Sequence, residues 1–107
     1  MIQQMMMMRA GPDLFGYVYA GQAAGGYLQD CDEYSQSGNS WTSKTDMPTP
    51  ARAFLAASTI GLFGYVYAGH AGGYLQDCDK YSQSGNSWAS KTDMPTPARD
   101  YLAASTI

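Results

Sequence analysis

The chain has 107 residues, a net charge of −3 and a pI near 4.7, which is at most one domain's worth of polypeptide. Hydrophobic residues make up 45% and charged residues only 14%, so there is enough apolar material for a core. Six Lys and Arg spread along the sequence exclude the basic patch of a nucleic-acid binder, and no apolar run approaches the ~18 residues of a membrane-spanning helix.

The first segment, residues 1–13 (MIQQMMMMRAGPD), is a non-repeat leader. No basic stretch precedes an apolar one, and Met5–Met8 is too short for the apolar region of a secretory signal. Methionine side chains fit irregular apolar gaps, so the leader is expected to be held against the rest of the chain.

From Leu14 onward the chain is one segment written twice. Leu14–Ile60 recurs as Leu62–Ile107. With Gly61 assigned to the second copy, the chain divides into a leader (1–13), repeat 1 (14–60) and repeat 2 (61–107). The offset is 48 as far as Ala23 and 47 after Ala24, which has no counterpart. Five aligned positions differ: Gln22/His70, Glu33/Lys80, Thr42/Ala89, Ala53/Asp100 and Phe54/Tyr101. Such similarity points to recent duplication or deliberate construction. A period of about 20–50 residues marks a unit that stacks on its neighbours, because one copy cannot bury its apolar face alone.

The repeat region opens at a strand-like run, Phe15–Gly21. The complete set of runs follows in order: Phe54–Ile60, small and apolar; Phe63–Gly69, aromatic and β-branched; Leu75–Tyr81, half polar; and Ser87–Thr92, short and anchored by Trp88. Strand breakers separate them at Gly61, Gly69–Gly73, Gly85-Asn86 and Pro95-Thr96-Pro97. No stretch holds a 3.6-residue period, so the expected class is all-β. Small apolar residues at one edge and polar ones at the other suit a propeller blade with packed faces and a wet rim. Cys31 and Cys78 occupy equivalent places, which usually lie too far apart for a disulfide, so both read as small buried hydrophobes.

The run FGYVYAG…LQDCDEYSQSGNSWTSKTDMPTPAR resembles a kelch repeat. An apolar strand ends in Gly21, then come Tyr34, Trp41, Met47-Pro48 and Arg52; the second copy has Gly69, Tyr81, Trp88, Met94-Pro95 and Arg99. Two features depart from the family pattern. Its paired glycines are Ala20-Gly21 and Ala68-Gly69 here, and an additional Ala51 or Ala98 precedes the Arg. The resemblance implies kelch-like β-propeller blades of four antiparallel strands, two blades per chain, where kelch propellers have about six to eight.

Ring closure is expected from oligomerisation with C-terminal strand exchange. The repeat region begins at a second-type strand and ends at a first-type one, Tyr101–Ile107. That tail is expected to complete the first blade of the next copy, with Phe15, Tyr17 and Tyr19 meeting Tyr101, Leu102, Ala104 and Ile107. Head-to-tail contact closes into a homotrimer with six blades or a homotetramer with eight, or runs on as a filament. A fragment of a longer kelch protein is the other reading.

Catalytic chemistry finds little support in the sequence. The single His70 does not supply the several His and Tyr ligands that kelch-related copper oxidases use. Asp30-Cys31-Asp32-Glu33 and its partner run read as a solvated strand rather than a calcium loop, because alternate residues point to opposite faces. No cofactor and no metal are expected, and the protein is expected not to be an enzyme. Binding is the better functional expectation: the loops Gln22–Tyr27, His70–Tyr74, Met47–Ala53 and Met94–Asp100 share one face. Gln22, Tyr27, Arg52, His70, Tyr74, Arg99 and Asp100 are the candidate residues for a peptide or glycan ligand. The resemblance implies Arg52 and Arg99 for an acidic partner, while a purely structural role would tie neighbouring blades through carbonyls or through Asp46 and Asp93.

Overall fold

A computed structural model of the chain describes residues 14–107; the leader, and the expectation that it is held, lie outside the described residues. Among the described residues nine strands follow in chain order: β1 (Phe15–Tyr19), β2 (Gln22–Ala23), β3 (Gly26–Tyr27), β4 (Cys31–Ser35), β5 (Ser40–Ser43), β6 (Ala56–Ile60), β7 (Phe63–Tyr67), β8 (Cys78–Ser82) and β9 (Ser87–Lys91). No helix occurs among the described residues. The protein is therefore all-β, and every strand pair is antiparallel.

The strands form a three-stranded sheet, β1-β4-β5, a four-stranded sheet, β6-β7-β8-β9, and the small β2-β3 hairpin. The two main sheets repeat one register. Phe15 faces Ser35 and Tyr19 faces Cys31, as Phe63 faces Ser82 and Tyr67 faces Cys78. The sequence enforces this through its turns. Asn39 and Asn86 take left-handed backbone conformations (φ 49 and 48), which a short polar side chain tolerates. Each is then fixed from its own sheet by a tyrosine hydroxyl, Tyr34 to Asn39 Oδ1 at 2.7 Å and Tyr81 to Asn86 Oδ1 at 2.8 Å.

The sheets differ at one edge. β6 lies along β7 from Ala56↔Tyr67 to Ile60↔Phe63. Among the described residues β1 has no strand on the corresponding edge. The strands are shorter than the sequence runs. Phe54 sits at φ 57, so β6 starts only at Ala56. Leu75 makes a single bridge with Arg99, and β8 begins at Cys78. The tail Tyr101–Ile107 carries no ladder. It stays beside the equivalent segment of the first copy: Tyr101 N–H donates to Phe54 O (2.9 Å), their rings stack at 4.3 Å, and Thr106 Oγ1 donates to Thr59 O (2.6 Å).

The buried apolar residues are Cys31, Met47, Ala53, Ala56, Val66, Ala68 and Tyr81. Both repeats contribute, but with different positions, and this asymmetry locates the surfaces that matter.

Candidate functional site

Near-identical repeats provide an internal control. A residue buried in one copy and open in the other marks a face that one sheet covers and the other leaves bare. Five residues of Leu14–Ile60 are buried where their counterparts are not: Cys31 against Cys78, Met47 against Met94, Arg52 against Arg99, Ala53 against Asp100, and Ala56 against Ala103. The reverse holds on the other side. Val66 is 0% exposed and Val18 52%; Tyr81, Asp79 and Gly64 are buried, while Tyr34, Asp32 and Gly16 are not.

The covered faces meet between the two sheets. Tyr17 packs on Tyr81 (centroids 5.5 Å apart), and Tyr19 meets Trp88 edge-on at 5.6 Å. Such aromatic pairs contribute about 0.5–1.5 kcal/mol beyond their burial. The Tyr19 hydroxyl lies so close to Gly64 that a Cβ there would collide with it. Trp88 Nε1 donates to Thr45 O at 2.9 Å, and Thr45 returns bonds to Asn86 through its N–H (3.0 Å) and its hydroxyl (2.9 Å).

At the centre is an ion pair. Arg52, fully buried, donates through Nη2 to Asp79 Oδ2 at 2.8 Å. Its guanidinium also donates to the carbonyls of Pro50 (3.2 Å) and Pro48 (3.3 Å). Asp79 Oδ1 accepts from Ser90 Oγ at 3.1 Å. Carbonyls and an acid do hold this arginine, but the acid is Asp79 of the following sheet rather than Asp46. Asp79 is thus part of a desolvated contact and not a solvated strand charge. Arg52 faces the protein interior, away from any ligand in solvent.

The remaining candidate residues divide into two groups. Tyr27, His70 and Tyr74 come together: the Tyr27 hydroxyl sits 3.0 Å from His70 Nδ1, and His70 meets both tyrosine rings edge-on at 5.9 and 5.7 Å. Backbone bonds between Ala53 and His70 in both directions hold the histidine loop to the first repeat. Tyr74 leaves 65% of its surface open. Gln22 pairs with Tyr27 in the small hairpin. Arg99 is exposed and Asp100 half-buried, and among the described residues neither side chain bonds to this cluster.

The closure residues are separate. Phe15, Tyr17 and Tyr19 lie on β1, and a groove of about 240 Å³ runs between them and Ala57, Ser58 and Thr59. Tyr101 and Ile107 are among the most exposed apolar side chains, Ala104 is exposed and Leu102 half-buried.

Burial pushes the Cys31 thiol up to about 12, with the neighbouring Asp32 and Glu33 adding to it. Cys78 is raised for the same leading reason. Both thiols are free and protonated at neutral pH, so neither is an activated nucleophile. Burial likewise raises Tyr17, Tyr19 and Tyr81. Glu33 accepts the Tyr17 hydroxyl, with Lys44 3.8 Å away. No group of three or more metal-ligating side chains is found among the described residues. The sequence marks Asp79 only as a strand charge and Asn86 only as a turn residue, and it does not single out Thr45. Their partners across the two repeats lie 27, 41 or 43 residues away, and no local spacing signals them.

No protein-family model and no curated protein matches the sequence. Solved structures do: 65 chains are similar. One of them, described as "Structure of YjhT", aligns with a TM-score of 0.65 and 20% identity over 83% of this chain. The present chain spans 27% of that protein's length. At this identity the likeness bears on fold alone, and it agrees with an all-β architecture of antiparallel sheets.

Proposed function

We propose that the chain is a non-enzymatic, self-assembling scaffold, a homo-oligomer of two-blade kelch-like propeller protomers. One observation carries this reading. The two outer faces hold the same residues that already fit each other between the sheets. One open face presents Gly16, Val18, Asp32, Tyr34 and Trp41; the other presents Tyr65, Tyr67, Met94 and Arg99, with the tail beyond. Left bare, apolar residues and an unpaired strand edge favour aggregation. A second copy covers both faces with contacts of the kind already present, and the groove lies along the open edge of β1 where the partner's tail would pair.

Light scattering after size exclusion tests this. The expected mass is three or four times 11.6 kDa. A mass of one chain contradicts the reading and favours a piece of a longer propeller whose further repeats cover the same faces. A polydisperse series of large species points to an open filament.

The Tyr27–His70–Tyr74 cluster favours a second reading, a peptide- or glycan-binding loop face. Amphipathic rings with one open edge stack on sugars and peptide planes. On a glycan and peptide array, this reading expects a signal that Tyr74→Ala removes while the assembly mass stays constant.

A further inference from the structure

We infer that the junction between copies is locked by a buried ion pair, Arg99 of one chain with the partner's Asp32. The inference rests on the self-assembly reading and deepens it by naming the contact that holds the surfaces in register.

Both halves of the pair are already in position. The Arg99 guanidinium donates to the carbonyls of Pro97 (3.2 Å) and Pro95 (3.4 Å). Arg52 makes the same two bonds to Pro50 and Pro48, and its Nη2 then reaches Asp79. Arg99 therefore holds the pose of Arg52 with no acid before it among the described residues. Asp32 holds the pose of Asp79. Its Oδ1 accepts from Ser43 Oγ at 3.3 Å, as Asp79 Oδ1 accepts from Ser90, and among the described residues Oδ2 has no hydrogen-bond partner. That is the oxygen which, in Asp79, receives the arginine.

The surroundings match as well. Mapped through the repeat, the Trp88–Thr45 bond becomes the partner's Trp41 donating to Thr92 O. The Tyr19–Trp88 contact becomes Tyr67 against the partner's Trp41, and the Tyr17–Tyr81 contact becomes Tyr65 against the partner's Tyr34. Trp41 stands 60% exposed, ready for that role. The register of β6 on β7 places Ala103–Ile107 on the partner's β1, with Ala103 opposite Tyr19 and Ile107 opposite Phe15. Two neighbours are not reproduced: where His70 meets Tyr27, the partner's Gln22 meets Tyr74, and where Ala53 bonds His70, Asp100 meets the partner's Gln22. The junction thus lacks the imidazole and depends more on its charge pair. Arginine suits that position, because its planar fork bonds carbonyls and carboxylate together.

The test is a double-mutant cycle on the assembly constant, read by mass against concentration. Arg99→Ala and Asp32→Ala should each weaken assembly on the order of a hundredfold, since each strands a desolvated partner. The double variant should be no weaker than the worse single one. Circular dichroism confirms that each variant keeps its fold. A wild-type mass of one chain overturns the self-assembly reading itself. Wild-type assembly that survives both substitutions, or losses that simply add, overturns the ion pair alone.

Charge reversal adds a count of the ring. Arg99→Asp chains mixed equally with Asp32→Arg chains can alternate, and an alternating ring closes only with an even number. A four-chain protein should recover its mass in the mixture. A three-chain protein should recover it only when one chain carries both reversals. Absence of the recovery that fits the measured mass, together with additive alanine losses, overturns the pairing.

Discussion

Valine placed at Gly16 and at Gly64 should have opposite effects on the protomer. At Gly64 an added Cβ collides with the Tyr19 hydroxyl. Tyr19 cannot swing away freely, because it is stacked on Tyr17 and set edge-on against Trp88. Overpacking of this kind costs about 1–3 kcal/mol. For a chain near 100 residues, each kcal/mol lowers Tm by about 4–8 °C. At Gly16 nothing lies within 4 Å of an added Cβ. A β-branched residue there should leave the isolated protomer unchanged or up to ~1 kcal/mol more stable, through strand propensity. In the proposed assembly, the partner's Tyr67 hydroxyl occupies that space, and Gly16→Val should reduce the mass to one chain. The assay pairs light scattering with thermal unfolding, and Gly64→Val is measured in the Gly16→Val background so that the protomer alone is read. A Gly16→Val protein of full wild-type mass refutes the reasoning about the open face. A Gly64→Val protein with unchanged Tm refutes the packing account from which it was mapped.

Other expectations follow from the same geometry. Arg52→Ala leaves Asp79, 3% exposed, without its counter-charge and should cost about 3–5 kcal/mol in urea unfolding; a loss below ~1 kcal/mol contradicts the pair's burial. A thiol reagent at pH 8 should label Cys78 and spare Cys31 in the Gly16→Val protein, and label neither in the assembly; equal labelling of both contradicts the asymmetry between the faces. Burial raises Cys31 from 9.0 and Tyr81 from 10.0, each to about 12. The unfolded chain then sheds these protons first, so their contribution is intact below pH 9 and is lost as pH rises toward 12. Alkaline unfolding followed by tyrosinate absorbance should show ionisation and unfolding together, and tyrosine ionisation complete well before unfolding contradicts it.

Much of this fold can be read from residue order. The repeat, its offset and the breakers at Gly61, Gly85-Asn86 and Pro95–Pro97 define where each strand must stop. The aromatic and β-branched runs Phe15–Gly21 and Phe63–Gly69 form β1 and β7 over their first five residues and stop at Tyr19 and Tyr67, before Ala20 and Ala68 with φ 57 and 56. The strand ends shift because backbone conformation intervenes: Phe54 at φ 57 delays β6, and nothing in its residue type announces that. Which face each residue occupies is not legible, because the two copies are chemically alike and only their neighbours differ. Arg52 is the clearest case. Its carbonyl partners two and four residues away follow from local chain geometry, whereas Asp79 is brought to it by the packing of one sheet on the next. Tyr27, His70 and Tyr74 were candidates from loop position alone, and their convergence depends on backbone bonds between Ala53 and His70 across the two repeats.

Amide hydrogen exchange along β1 and Ala103–Ile107, at assembling and at high-dilution concentrations, tests the central claim most directly. β6 and β7 pair within the chain and supply the reference for a protected edge. The account predicts that the β1 amides turned away from β4, on its open edge, and the tail become protected together at high concentration, to the level of β6, and lose that protection together on dilution. Free exchange of those edge amides and of the tail at every concentration, while β6 and β7 stay protected, would contradict it.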